Sequence, residues 1–300
     1  MGQRHWKDYN KQLIARGSIT FLIDPKVFKN NCLRKKRKRR GRPMEFCDSL
    51  MTVLLMTKIH YRLAYRALEG FVRSIFTLSK QSLKVPTYSL ICKRTSSLKS
   101  SLPELSSTHS KVVLLDASGI KVHGEGEWKV KIHGRGRPRK WLKIHIAVDV
   151  QTQEIVAEAT THSSVGDSTM IHHLLKPLRG PINTVIADGA YDGTLTRKAI
   201  KNKGSKALIP PPKNARYKGS HDDRDQAIMW IKGLGNDTLA RSLWGKLTGY
   251  SKRALVETAF SRIKRLFGSK LFSKTPNRQS LENTLRCLLL NKMRKISLSS

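Results

Sequence analysis

From residue 44 to about 105 the apolar residues recur at helical spacing: Phe46, Leu50, Val53, Leu54, Leu63, Leu68, Phe71, Val72 and Ile75. The pattern breaks near residues 60–62 and at Gly70, which predicts several short helices in place of one long one. A Ser/Lys-rich connector and Pro86 lead into a further helical candidate over 87–98 that carries Tyr88, Lys93 and Arg94. Beyond Lys111 the period becomes that of strands. Residues 111–115 (KVVLL) run straight into Asp116, with 117–122 following. Residues 128–132 and 141–150 (WLKIHIAVDV) alternate, and Gly124, Gly126, Gly134 and Gly136 supply turns. Asp167 and Ser168 have the character of a helix cap, for a helix that ends at Pro177. Residues 183–187 (NTVIA) form a further strand that runs into Asp188. A helix over 196–203 and a strand over 207–209 follow, before three prolines stop the sheet. Hairpins followed by strand–helix–strand predict an α/β fold, a mixed sheet flanked by helices. The polar, basic stretch 213–246 reads as an insertion holding one helix near 225–232, and 286–296 as a terminal helix.

One more helix, over 250–264 (YSKRALVETAFSRIK), divides sharply. At about 100° per residue, Tyr250, Arg253, Glu257 and Lys264 share one face, while Leu255, Val256, Ala259, Phe260 and Ile263 fill a separate apolar arc. A carboxylate is thus held on a rigid element between cations and a phenol. An amphipathic surface helix with an ordinary Arg/Glu pair four residues apart is the competing reading.

Charge narrows the functional classes. Lys and Arg number 58 against 21 Asp and Glu, a formal net charge of +37. Such an excess repels itself unless a polyanion offsets it, and nucleic acid gains further from counterion release. No apolar run approaches the length of a membrane-spanning helix, and the N-terminus lacks the apolar core of a signal peptide. Cys32, Cys47, Cys92 and Cys287 are scattered, without zinc or disulfide spacing. These features predict a soluble, intracellular protein that binds nucleic acid and has no membrane partner. The run Arg34-Lys35-Lys36-Arg37-Lys38-Arg39-Arg40 closes a basic arm over 1–42. The short helices over 43–105, the last of them bearing Lys93 and Arg94, suit a helix-turn-helix-like DNA-binding region; a helical bundle capping the next domain is the alternative. The sheet domain spans 110–296, with the insertion at 213–246. Residues 134–140 (GRGRPRK) match the core of an AT-hook, but the flanking strands favour a basic hairpin loop in which Arg135, Arg137 and Lys140 touch the DNA backbone.

Acids are scarce, so those inside apolar stretches stand out. Asp116 and Asp188 each follow an apolar strand and precede a small residue, where α/β proteins place chemistry. With Glu257 on a helix whose apolar face can pack on the sheet, three carboxylates could converge. Hard oxygen donors without a His or Cys requirement suit Mg²⁺ or Mn²⁺, and two such ions can drive phosphodiester cleavage. Turn or cap acids are the competing reading, and Asp149, Asp192, Asp222, Asp223 and Asp225 are rival acids. No phosphate-binding nucleotide loop occurs, so ATP is not expected.

Tyr250, Arg253, Glu257 and Lys264 reproduce the Y-(2)-R-(3)-E-(6)-K signature, and the chain resembles DDE transposases of bacterial insertion sequences, specifically the insertion-sequence-five family. The likeness extends to LLDASG at 114–119, to 128–150, to IADGAYDG at 186–193 and to VPTYSLICKR at 85–94. The resemblance implies an RNase H-like fold in which Asp116, Asp188 and Glu257 are the metal-binding catalytic triad for two Mg²⁺ ions, with Mn²⁺ as a substitute. It also implies that Tyr250, Arg253 and Lys264 contact the element's end DNA. The implied reaction is hydrolysis at the element ends, then attack of the freed 3′-hydroxyl on target DNA, by a homodimer on double-stranded DNA. The rival from another class is a non-catalytic architectural or regulatory DNA-binding protein derived from a transposase.

Overall fold

The structure is a computed structural model that describes residues 6–19, 45–80, 84–98, 102, 111–122 and 141–296. The basic run 34–40, the expected strand 128–132 and the loop bearing Arg135, Arg137 and Lys140 lie outside the described residues. The chain divides into two compact units. One comprises Met1–Ser101, Leu266–Gly268 and Phe272–Ser300, the other Leu102–Arg265 and Ser269–Leu271.

The first unit is helical. It contains α1 (Trp6–Gly17), α2 (Asp48–His60), α3 (Tyr65–Leu78) and α4 (Tyr88–Arg94). Helix α2 is apolar on every side and buries Leu50, Met51, Val53, Leu54, Leu55 and Met56. Helix α3 is amphipathic and buries Leu68, Val72 and Phe76, one turn apart. Gly70 does not break it. Its missing side chain leaves open space, and packing of the apolar stripe outweighs a propensity cost of about 1 kcal/mol. Thr87 caps α4, its hydroxyl accepting from the Leu90 N–H at 3.4 Å.

The second unit is built on a mixed sheet in the order β3-β2-β1-β4-β5. Its strands are β1 (Lys111–Val122), β2 (Trp141–Asp149), β3 (Ile155–His162), β4 (Ile182–Ala187) and β5 (Lys206–Leu208). Strands β1–β2 and β2–β3 pair antiparallel, β1–β4 and β4–β5 parallel. Helix α5 (Ile171–Leu175) follows β3, and α6 (Thr194–Asn202) joins β4 to β5. After β5 come α7 (Asp223–Gly233), α8 (Thr238–Thr248), α9 (Ala254–Phe267) and the short β6 (Lys270–Leu271), which pairs with β1. A mixed sheet flanked by helices, preceded by a helical region, is the RNase H-like arrangement. One core lies on the Val113/Leu115 face of β1, with Ala147, Ile171, Leu174, Val185, Tyr191 and Ile200. Leu114, Asp116 and Ser118 alternate onto the opposite face, and Lys264 of α9 reaches Ser118 there.

The final helix, α10 (Pro276–Ile296), groups with the first unit. It begins ten residues before the expected start, because proline at the first helical position costs no hydrogen bond. Within it Arg286, only 1 % exposed, pairs with Glu282 at 2.7 Å and donates to the Gly268 carbonyl. Glu282 also accepts from the N–H groups of Phe272 and Ser273, so neither buried charge is left unmatched. No helix among the described residues is long and apolar enough to cross a membrane.

Candidate active site

Strand β1 does not end at Asp116, as the sequence led us to expect. It continues to Val122, because β2 pairs with it as far as Lys121↔Trp141. The parallel partner β4 does stop there. Its last pair with β1 is Leu115↔Ala187, so Asp116 and Asp188 are the next positions of two adjacent parallel strands. Position is therefore set by where β4 ends. Asp188 then turns the chain: its carboxylate accepts from the Ala190 N–H at 3.0 Å and caps the single 3-10 turn Gly189–Tyr191. Asp116 accepts from the Ala117 N–H at 2.8 Å.

Glu257 lies in the first turn of α9, one turn after Arg253. The Arg253 guanidinium joins two of the acids. Its Nη2 donates to Glu257 Oε1 at 2.6 Å, and its Nη1 lies 3.4 Å from Asp116 Oδ2. Burial raises the Asp116 pKa. The Ala117 N–H and Arg253 oppose that rise, while the nearby charges of Asp188 and Glu257 add to it. The same three carboxylates are felt by Tyr250, whose phenol is raised first by burial, with Arg253 acting in the opposite sense. All three acids thus share one electrostatic neighbourhood.

Tyr250 and Arg253 do not lie on the α-helix itself. They occupy the 3-10 turn Tyr250–Arg253, entered through Gly249 at φ +78°. The Tyr250 ring packs against Trp244 with centroids 5.4 Å apart and lies next to Gly245, where a Cβ would make an ordinary contact at 3.6 Å. Lys264 donates to Ser118 Oγ at 2.7 Å, fastening α9 to the strand that carries Asp116. In the helical unit Lys93 is exposed, whereas Arg94 is turned inward, donating to the Phe46 carbonyl and ion-paired with Asp48. Trp141 lies over Gly119, where a Cβ would come within 3.3 Å of its ring, and beneath the Lys121 ammonium.

Each rival acid has a structural task. Asp149, buried at the end of β2, accepts from Thr152 and holds the β2–β3 turn. Asp222 caps α7, and Asp223 accepts from the Ala207 N–H. Asp225 accepts from the N–H groups of Lys218 and Ser220. Asp167 is not the side-chain cap expected of it: it pairs with Lys143 at 3.0 Å, beside the buried His145. The residue that sequence reasoning undervalued is Asp192. Its side chain, 2 % exposed, accepts from Arg197 Nε at 2.7 Å and from Arg224 Nε at 3.1 Å. This pair of guanidiniums ties α6 and α7 to the turn that follows Asp188. Only the scarcity of acids in so basic a chain hinted at it.

Residues 107–292 match the family described as transposase DDE domain, and residues 14–125 match a second family of the same description. The chain belongs to the transposase DDE-domain family. Among solved structures the DDE-domain chain is similar to the piggyBac transposase in a cryo-EM synaptic complex with hairpin DNA. The identity there is 10 %, covering 96 % of this chain and 75 % of that one, with a TM-score of 0.39. It is also similar to the Drosophila P element transposase in a strand transfer complex, at 10 % identity, 87 % and 68 % coverage and a TM-score of 0.33. Likenesses of that strength leave the chemistry to be read from this DDE domain's own residues. Among the described residues no group of three or more His, Cys, Asp or Glu side chains is arranged to hold a metal ion. The donor chemistry nevertheless suits a hard divalent cation. Asp116 and Glu257, 14 % and 57 % exposed, already share one positive group, the Arg253 guanidinium.

Proposed function

We propose that this chain is a transposase of the insertion-sequence-five type that cleaves DNA at the ends of an insertion sequence and joins them to target DNA. The observation that carries the reading is the placement of Asp116 and Asp188 at adjacent ends of parallel pairing, with Arg253 linking Asp116 to Glu257. Asp116, Asp188 and Glu257 would hold Mg²⁺, or Mn²⁺ in its place; when bound, the metal activates water and stabilises the departing oxygen. The chain's own part is to hold and orient. Strands β1 and β4 hold the two aspartates on the sheet, and α9, fastened by Lys264 to Ser118, holds Glu257 on the Arg253 guanidinium that also meets Asp116. Water adds to the scissile phosphorus as the bond to the 3′-oxygen breaks, leaving a 3′-hydroxyl. That hydroxyl then attacks a target phosphodiester, and one new P–O bond replaces one broken.

Binding falls to the cations. Arg253 and Tyr250 would meet the end DNA beside the carboxylates, with Lys264 close by. Lys93, Arg135, Arg137 and Lys140 would contact backbone phosphates, which position without reading sequence. Arg94 would join them only by leaving Asp48. The protein acts as a homodimer on the two ends of one element, in the cytoplasm at the nucleoid. The deciding experiment is Asp188→Asn with a labelled duplex ending in the element's inverted repeat. Mg²⁺-dependent cleavage should be lost while duplex binding is retained. Cleavage at the wild-type rate by that variant would overturn the catalytic assignment, and an uncleaved duplex with wild-type protein would favour the architectural alternative.

A further inference from the structure

The segment expected to be a polar insertion with one helix is a helical hairpin, and its outer side is apolar. Helix α8 displays Leu239, Leu243 and Leu247, which are 66 %, 38 % and 66 % exposed. At four-residue steps they form a single stripe spanning about 80° of the helix. Met229, Trp230 and Leu234, at the end of the preceding helix, are 53 %, 54 % and 38 % exposed. The opposite side of α8 is where the monomer uses its apolar residues, burying Ala240, Trp244 and Gly245. Summed over both helices, the six residues expose about 600 Å², comparable with the largest apolar patch on a soluble monomer.

Nucleic acid does not suit the leucine stripe, although the chain is strongly basic. Phosphate recognition needs cations along the contact, whereas the exposed Lys232 and Lys246 sit at helix ends and Arg241 points its guanidinium to the carbonyls of Pro211 and Pro212 at 2.8 and 3.2 Å. We infer that the leucine stripe of α8 is the contact between two copies of this chain, with a two-fold axis passing by Leu243. Two arguments select a second copy. The first is area: with the end of the preceding helix drawn into the contact, two copies have up to about 1,200 Å² to bury, which reaches the lower bound for a stable specific interface. The second is charge. In an antiparallel pairing centred on Leu243, Leu239 of one helix meets the partner's Leu247. The Asp237 end of each helix then lies against the partner's Lys246 end, and the helix dipoles oppose favourably. A closed isologous pair also ends association at two copies. This identifies the surface of the proposed homodimer and rests on that reading for its biological use, but its assembly requires neither DNA nor chemistry.

The test is the mass of the full chain in solution without DNA, by light scattering and sedimentation, for wild type and Leu243→Glu. Leu243 is 38 % exposed, so the variant should keep its helical circular dichroism, while its melting temperature should lose the concentration dependence that a dimer confers. The expected result is a wild-type dimer and a dimer dissociation constant raised at least ~100-fold in the variant, as burying two facing carboxylates demands. A second variant, Leu243→Cys, should form a covalent dimer with a short bis-maleimide linker well beyond what the native cysteines give. A monomeric wild type, a dimeric Leu243→Glu, or no added crosslinking would each overturn the assignment. None of those outcomes touches the Asp188→Asn result, so the interface and the catalytic reading fail separately.

Discussion

Replacing Arg253 by Gln should tighten the binding of a divalent cation to the free protein. In the structure the guanidinium bonds Glu257 at 2.6 Å and lies 3.4 Å from Asp116, with Asp116 mostly buried and Glu257 mostly exposed. A cation that engages these oxygens must displace Arg253 or share them with it. The Glu257 contact is a half-exposed pair four residues apart, worth about 0.3–0.5 kcal/mol net. The Asp116 contact is longer but better shielded, so the two together cost about 1–1.5 kcal/mol to break, roughly tenfold in a dissociation constant. The assay is titration of metal-free protein with Mn²⁺, following free Mn²⁺ by its paramagnetic resonance signal. Lys252→Gln is the control, since it removes the same charge from the neighbouring residue, which makes no ion pair with a carboxylate among the described residues. Arg253→Gln should lower the dissociation constant about tenfold, against less than about twofold for Lys252→Gln, because exposed charges not in contact are screened. Equal effects from the two variants would mean that Arg253 acts only through bulk charge. An unchanged affinity would mean that the guanidinium does not compete for the carboxylates at all.

Two further outcomes follow from residues outside the acidic cluster. Asp192→Ala strands the guanidiniums of Arg197 and Arg224, which are 11 % and 20 % exposed, and should lower unfolding free energy in urea by about 3 kcal/mol, as expected for a broken buried pair; a loss under about 1 kcal/mol would show that α6 and α7 do not depend on it. His145, fully buried and held by Thr161 at 2.8 Å, has its pKa lowered by burial first, with Asp167 opposing and Lys143 and His173 adding to the shift. Because the folded form resists the proton, this contribution is intact above the unfolded value of about 6.5 and is lost as pH falls through the lowered folded value. Melting temperature should therefore drop on acidification from neutral pH, and less so in His145→Gln; parallel curves for the two proteins would refute the linkage.

Much of the sheet was legible because its signals are local. KVVLL and NTVIA are apolar runs of β-branched residues and leucine, and both form strands. What failed was what depends on partners. Strand β3 (IVAEATTH) has its strand formers split by Ala157, Glu158 and Ala159, which blurs the alternation, and it pairs with β2 from Leu142 to Val148. Helix α8 was hidden because its most periodic apolar residues face outward, so the stripe did not signal a core. The two aspartates were singled out for their places at strand ends, which holds for only one of them. Asp188 does follow its strand, but Asp116 lies inside a twelve-residue strand, and only the pairing register aligns the two.

The spacing of Tyr250, Arg253, Glu257 and Lys264 acquires a physical meaning once the local geometry is known. Treated as one α-helix, Tyr250, Arg253, Glu257 and Lys264 span about 60° of one face, the three-residue and four-residue steps drifting in opposite directions around a 3.6-residue turn. The chain resolves the drift by changing helix type at Ala254. The step of three from Tyr250 to Arg253 falls in the 3-10 turn, where residues three apart eclipse one another. The steps of four to Glu257 and seven to Lys264 fall in α9, where they lie one and two turns apart. Gly249, with its positive φ, ends α8 and frees the chain to enter the tighter turn. Arg253 is therefore placed at the junction of two helical geometries, where its fork spans Glu257 ahead of it and Asp116 on the sheet. Inserting a residue between 250 and 253 would disturb the tyrosine alone, whereas an insertion between 253 and 257 would separate the guanidinium from the carboxylate it bridges to the strand.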